Sequence, residues 1–161
     1  MDQQAPPSKG KSHRLRLGRR STPHARYHLR FATHRRAPVF ADLFAARAVV
    51  LTLLEKERQR HAKTLAYVVM PDHVHWLCDL GERVSLSMLA GHFKGRVSER
   101  LRRTIKAPGP LWQDGFFDRQ LRPEEDPHAV ARYIVANPLR RGLVTELGDY
   151  PHWDAAWMGN G

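Results

Sequence analysis

His73 and His75, with Val74 between them, follow directly on the apolar run from Leu65 to Met70. Side chains alternate faces along a strand, so an extended backbone here projects both imidazoles from one side. Two neutral imidazoles one pleat apart can converge on a divalent cation and form half of a metal site. Farther along, Ala131-Arg-Tyr-Ile-Val-Ala-Asn-Pro138 carries Tyr133 and Asn137 at i and i+4, which share a face on a helix. Pro138 disfavours helical angles in the residue before it and so places Asn137 at the helix end. A phenol nucleophile, an amide oxygen as third ligand and an imidazole pair together suit phosphodiester cleavage. The cation stabilises the non-bridging oxygens while the phenol attacks in line. A phenol of ordinary pKa, about 10, must lose its proton as it attacks. Two nitrogens, one amide oxygen and phosphate oxygens suit manganese and can accept magnesium. Taken singly, such histidines are more often ordinary strand residues and such a tyrosine more often packs in a core. Their combination is what carries the reading.

The elements that must position these groups can be read in order. Tyr27, Leu29 and Phe31 alternate with His28 and Arg30, the period of a strand with one buried face. Asp42 is a suitable N-cap for a helix to about Arg60, with Leu43, Phe44, Val50, Leu51 and Leu54 at helical spacings. Leu65 to Met70 and His73 to Asp79 read as two central strands of a hairpin turned at Pro71-Asp72. Ser85 caps a second helix whose Leu86, Leu89, Ala90, Phe93, Val97 and Leu101 recur at 3 and 4. Residues 107–110, Ala-Pro-Gly-Pro, break it, and Gly115 to Arg122 reads as a fourth strand. Asp126 caps a third helix with Pro127 at its first position. Strand, helix, strand, strand, helix, strand is the split β-α-β, ferredoxin-like order, here with a further helix bearing Tyr133.

At 161 residues the chain suits one domain with tails. The expected division is a basic disordered arm over 1–24, a domain over 25–145 and a C-terminal tail over 146–161, in which Trp153 and Trp157 either pack back or dangle. Lys and Arg number 27 against 16 Asp and Glu, a net charge of +11, which favours a polyanionic partner. Ten basic residues lie between Lys9 and Arg36, and no acidic residue falls between Gln3 and Ala41. Cys78 is the only cysteine, which excludes an internal disulfide and a cysteine-based zinc site. It faces away from the histidines and reads as a small buried hydrophobe. No stretch approaches the ~18 to 20 apolar residues of a membrane span, and the basic N-terminus lacks the apolar segment of a signal peptide. A cytoplasmic, nucleoid-associated protein is expected.

Three separated segments stand in a recognisable order: Tyr67-Val-Val-Met-Pro-Asp-His-Val-His75, Leu111-Trp-Gln-Asp-Gly-Phe-Phe-Asp-Arg-Gln-Leu-Arg122, and Ala131-Arg-Tyr-Ile-Val-Ala-Asn-Pro-Leu-Arg-Arg-Gly-Leu-Val144. Together they resemble the REP-associated tyrosine transposases of the single-tyrosine HUH transposase superfamily, from about Tyr27 to Val144. The resemblance implies an α+β fold, a ferredoxin-like split β-α-β sandwich (HUH domain) with an additional C-terminal helix carrying the nucleophile. It further implies Tyr133 as nucleophile, His73 and His75 as metal ligands and Asn137 as the residue completing the site, with Mg or Mn bound. The implied substrate is single-stranded or hairpin DNA, a repetitive extragenic palindrome with a short adjacent tetranucleotide, cut through a 5′-phosphotyrosine intermediate. Expected DNA contacts are Arg14, Arg16, Arg19 and Arg20 of the arm, Lys94, Arg96, Arg100 and Arg103 of the second helix, and Arg122. Trp112 and Phe116 are candidates to stack on a base, with core burial the favoured fate of both. The active form is a monomer or a homodimer.

Competing readings are a non-catalytic, sequence-specific DNA-binding relative, a ferredoxin-like RNA binder and a conjugative relaxase. Intact His73, His75 and Tyr133 weigh against the first. RNA binders of this fold present stacking aromatics on the sheet where this chain presents imidazoles. Relaxases carry a third histidine and a tyrosine near the N-terminus, which this chain does not match.

Overall fold

Tyr27, Leu29 and Phe31 are buried against one side of a sheet, so the period-2 pattern is realised as the strand β1 (Arg26–Ala32). The computed structural model describes residues 21–105 and 109–157. Beyond β1 it contains α1 (Leu43–Arg58), β2 (Ala62–Met70), β3 (His73–Leu80), α2 (Leu86–Leu101), β4 (Phe117–Gln120), α3 (Pro127–Val135), α4 (Asn137–Arg140) and β5 (Trp153–Ala155). Each long helix starts at the residue its sequence marks. The Asp42 carboxylate accepts from the Ala45 amide at 3.0 Å, the Ser85 hydroxyl from Met88 at 3.1 Å and the Asp126 carboxylate from His128 at 3.0 Å. These bonds satisfy amides that the first helical turn leaves without a partner.

The sheet is antiparallel with strand order β4-β1-β3-β2-β5. The first four strands have the ferredoxin-like order, with β3 at the centre. Pro71 and Asp72 turn the β2–β3 hairpin, leaving Met70 paired with His73. A bulge between Thr64 and Ala66 shifts the phase of β2. Ala62 packs into the α1 and α2 core before it, and Val69 does so after it. This is why β2 reads as a nearly continuous apolar run rather than as an alternation.

The larger core lies between the sheet and the α1–α2 pair, built from Phe31, Phe40, Trp76, Phe93 and Trp112 with aliphatic neighbours. Trp112 donates its indole N–H to the Lys94 carbonyl at 3.0 Å, and Phe116 stacks on Phe31 with ring centroids 5.7 Å apart. Both aromatics are thus core-packed, as favoured. Glu55 of α1 accepts from Arg96 and Arg100 of α2, tying the two helices together. The opposite sheet face is covered by α3, where Ala131, Ile134 and Val135 pack on Val68, Met70 and Leu77.

The C-terminal segment is part of the sheet. Val68 pairs with Trp153 and Ala66 with Ala155, and the Tyr150 hydroxyl donates to the Val69 carbonyl. Leu147, Tyr150 and Trp153 join the smaller core, so the segment covers the edge that β2 would otherwise expose. Of the expected arm, residues 1–20 lie outside the described residues. Ser21 and His24 are tied down, accepting from the Leu86 amide at 2.8 Å and donating to the Leu80 carbonyl at 2.7 Å. No helix among the described residues is long and apolar enough to cross a membrane.

Gly81 follows β3 where its backbone meets the end of the α1–β2 connection. A Cβ at this position would lie 2.1 Å from the Arg60 carbonyl oxygen, closer than any real contact. Gly81→Ala is therefore expected to destabilise the fold by about 1–3 kcal/mol through backbone displacement, read as a lowered urea midpoint.

Candidate functional site

Odd-numbered residues of β3 face α3, which puts His73, His75 and Leu77 on one surface and Val74, Trp76 and Cys78 in the larger core. The register then chooses their neighbours. His73 is flanked by Ala32 and Met70, His75 by Arg30 and Val68, and Leu77 by His28 and Ala66. His28 is thus diagonal to His75 across the β1–β3 pair, within reach of a side-chain contact.

The result is a chain of polar groups running from half-buried Asp72 through three buried imidazoles. Asp72 Oδ1 lies 2.7 Å from His73 Nδ1, His73 Nε2 lies 3.1 Å from His75 Nε2, and His75 Nδ1 lies 2.9 Å from His28 Nε2. Arg36 also pairs with Asp72, at 3.1 Å. Burial pushes the imidazoles toward the neutral form. His75 falls to about 2, with His73, His28, Arg30 and Arg140 adding positive charge nearby, and His28 falls to about 4 by burial with Arg119 and Arg30. His73 is also lowered, chiefly by burial, against the opposing pull of Asp72. Burial would raise Asp72, but its hydrogen bond to His73 and the charges of His73, Arg36 and Arg141 hold it below the usual carboxylate range.

Tyr133 is not a core residue of α3. It is 60% exposed and borders two adjoining grooves beside His75. One groove, about 440 Å³, is also lined by His28, Arg30, Phe117 and Arg119. The other, about 290 Å³, is lined by His73, Asn137, Arg30, Arg36, Arg140 and Arg141. The Arg140 guanidinium lies 3.9 Å from the Tyr133 ring centroid and donates to the Tyr133 carbonyl at 2.6 Å. Those two contacts hold both ends of the residue that carries the phenol.

Asn137 owes its position to Pro138. Proline has no N–H to give the Ile134 carbonyl four residues back, and the Asn137 amide nitrogen donates to that oxygen instead, at 3.3 Å. Helix α3 ends at Val135, and Asn137 begins the short α4 with its side chain buried beside the histidines. With its NH₂ committed, the amide has its oxygen left to offer.

The pair His73 and His75 fits a divalent cation. Their Nε2 atoms are 3.1 Å apart, and octahedral ligands about 2.1 Å from a metal sit about 3 Å from their neighbours. Both rings are buried, and burial favours their neutral form, as ligation requires. No cluster of three His, Cys, Asp or Glu around one point occurs among the described residues. Asp72 and His28 are bonded to the far nitrogens of the pair, and so stand behind it.

The expected DNA contacts are distributed differently. Arg14, Arg16, Arg19 and Arg20 lie outside the described residues. Lys94 donates to the carbonyls of Gln113 and Gly115, each at 2.9 Å, and Arg96 and Arg100 are paired with Glu55 on the sheet face opposite the histidines. Arg103 is exposed, and Arg122 is exposed near Glu124. The guanidiniums that surround the grooves are those of Arg30, Arg36, Arg119, Arg140 and Arg141. Sequence reasoning passed over these and His28. Alternation on β1 marks His28 and Arg30 as facing away from the Tyr27, Leu29 and Phe31 core, but the β1–β3 register that brings them to His75 is not in the local pattern.

A family model described as IS200-like transposase matches residues 21–137. The REP-associated tyrosine transposase of Escherichia coli is 28% identical over 101 residues, which cover 62% of this chain and 58% of that protein. A candidate REP-associated tyrosine transposase of Haemophilus influenzae is 26% identical over 100 residues, 56% of this chain and 57% of that one. The match thus spans little more than half the length of these curated relatives. Among solved structures, a REP-associated tyrosine transposase bound to a REP hairpin has the same fold, with TM-score 0.69 at 21% identity over 84% of this chain and 79% of that chain. A candidate transposase of Deinococcus radiodurans gives TM-score 0.55 at 26% identity, over 73% of this chain and 93% of that chain.

The depressed imidazoles have a consequence for stability. In the unfolded chain they regain the ordinary value of about 6.5, so below that pH the unfolded state binds more protons than the folded one. Their contribution is complete above about pH 6.5 and is lost as pH falls, down to about 4 for His28 and about 2 for His75. In chelator-treated protein at fixed ionic strength, the urea midpoint should drop between pH 7 and pH 5, and drop less in His75→Gln. A flat wild-type profile contradicts this reading of the cluster.

Proposed function

The chain belongs to the IS200-like transposase family, and from that premise we propose that it is a metal-dependent, single-tyrosine DNA endonuclease and strand transferase. Its substrate would be single-stranded or hairpin DNA of repeated palindromes, like the REP hairpin bound by the structural relative. The observation that carries the reading is the meeting of His73, His75, Asn137 and Tyr133 around one groove, although the tyrosine and the histidines come from distant parts of the chain. A surplus of guanidinium groups around that groove suits a phosphate backbone.

His73 Nε2, His75 Nε2 and the Asn137 amide oxygen would hold Mg²⁺ or Mn²⁺. Such an ion, when bound, neutralises charge on the non-bridging oxygens of the scissile phosphate. Arg30, Arg36, Arg140 and Arg141 orient that phosphate. Tyr133 Oη forms the new bond to phosphorus as it loses its proton, and the bond from phosphorus to the 3′-oxygen breaks, with that oxygen leaving as a 3′-hydroxyl after taking a proton. The 5′-phosphotyrosine link conserves the energy of the broken diester. A 3′-hydroxyl of another strand can therefore attack it, restoring Tyr133 and joining DNA without an external energy source. Such chemistry belongs to a nucleoid-associated protein of the cytoplasm.

Incubation with labelled hairpin oligonucleotides from the repeats of the source genome, with Mn²⁺, should give a protein–DNA adduct that survives denaturation. EDTA, Tyr133→Phe or His73→Ala should each reduce the adduct at least 100-fold. Tight binding with no adduct under any condition would instead support the non-catalytic DNA-binding reading.

A further inference from the structure

Each of the paired histidines has its Nδ1 held from behind, but by different chemistry. His73 is held by the Asp72 carboxylate, the kind of partner that orients metal-bound histidines in many sites. His75 is held by another imidazole, His28, at 2.9 Å. Both rings of that second pair are buried, and they meet nearly edge to edge, with centroids 5.1 Å apart and 30° between planes. Phe117 closes on His28 from the next strand, edge-on at 5.9 Å. We propose that His28 is a positioning residue which fixes the ring and tautomer of His75 for cation binding, and that cation binding reverses the direction of the hydrogen bond between them. This inference rests on the metal site proposed above.

The reversal follows from counting protons on neutral rings, each of which carries one N–H. The Asp72 carboxylate accepts from His73 Nδ1–H, so His73 Nε2 bears a lone pair. At 3.1 Å, His75 Nε2 can meet that lone pair only by donating its own N–H. His75 Nδ1 is then an acceptor, and His28 donates to it from Nε2. A cation between the two Nε2 atoms needs a lone pair on each. The His75 proton must then reside on Nδ1 and be donated to His28 Nε2, whose own proton moves to Nδ1 of His28. Three rings carry three protons before and after, so no proton is released. A carboxylate behind His75 would favour the metal-ready tautomer at all times, whereas His28 permits both.

Two measurements test this. In ¹⁵N-histidine-labelled protein, long-range proton–nitrogen spectra during a Mg²⁺ titration should show His28 and His75 changing together from the Nε2–H to the Nδ1–H tautomer, while His73 stays Nδ1–H. Tautomers that do not change at Mg²⁺ saturation overturn the proposal. Separately, electron paramagnetic resonance of free Mn²⁺ gives affinities for the wild type, His28→Gln, His28→Leu and His73→Ala, with melting curves verifying that each is folded. His28→Leu should weaken Mn²⁺ binding about 10- to 100-fold. His28→Gln, whose amide oxygen can accept from His75, should restore most of it. Wild-type affinity in a folded His28→Leu, or equal losses in the two His28 variants, overturns the role of His28 alone. A wild type that binds Mn²⁺ no better than His73→Ala overturns the metal site itself.

Discussion

Strand β3 is hydrogen-bonded along both edges, to β1 and to β2, and the two faces this gives it are chemically opposite. Val74, Trp76 and Cys78 enter the core under α1 and α2, while His73, His75 and Leu77 face α3. A slip of one residue in either pairing would exchange the two sets, putting imidazoles into the apolar core and Trp76 into the groove. Burying a side chain of that size contributes about 1.5–3 kcal/mol or more, and the aromatic cluster around Phe93 repeats that preference several times over. The packing that stabilises one face therefore fixes the imidazoles on the other.

Charge at the groove is arranged for a ligand that brings its own negative charge. Asp72, bonded to one of the imidazoles, is engaged by His73 and Arg36, and Glu125 is engaged by the groove-lining Arg119 at 2.5 Å. Four arginines border the groove that holds His73, His75 and Asn137. A divalent cation placed among these imidazoles, an amide and these guanidiniums would meet no carboxylate ligand among the described residues, so the phosphate of bound DNA would strengthen its binding. Cation and nucleic acid would then bind with positive coupling, each stronger in the presence of the other.

Much of the frame is legible in the sequence because its signals are local. The caps at Asp42, Ser85 and Asp126, the alternation on β1 and the turn at Pro71-Asp72 are decided within a few residues, and the fold places each element where those signals put it. The pair His73 and His75 is legible for the same reason. What depends on register is not. The His28 contact needs the β1–β3 pairing, and the phase change in β2 needs a bulge hidden inside an apolar run. The surface of α2 illustrates the converse: its basic stripe resembles a phosphate track in sequence, yet Arg96 and Arg100 are turned to Glu55, which lies on another helix. The strand at Trp153 has too short and mixed a sequence to announce itself, and forms because the edge of β2 needs covering. The Asn-Pro step is a mixed case, since the helix end is local but the amide that replaces the missing N–H is a structural fact.

On the function proposed above, the imidazole pair on β3 and the tyrosine on α3 serve one reaction centre. Anomalous scattering from crystals of the protein with Mn²⁺ and a hairpin oligonucleotide measures this directly. A single manganese peak in bonding contact with His73 Nε2, His75 Nε2 and a DNA phosphate, with Tyr133 Oη facing that phosphorus, is the expected result. Manganese bound elsewhere, or a phosphate out of reach of Tyr133 while the histidines keep their direct contact, would contradict it.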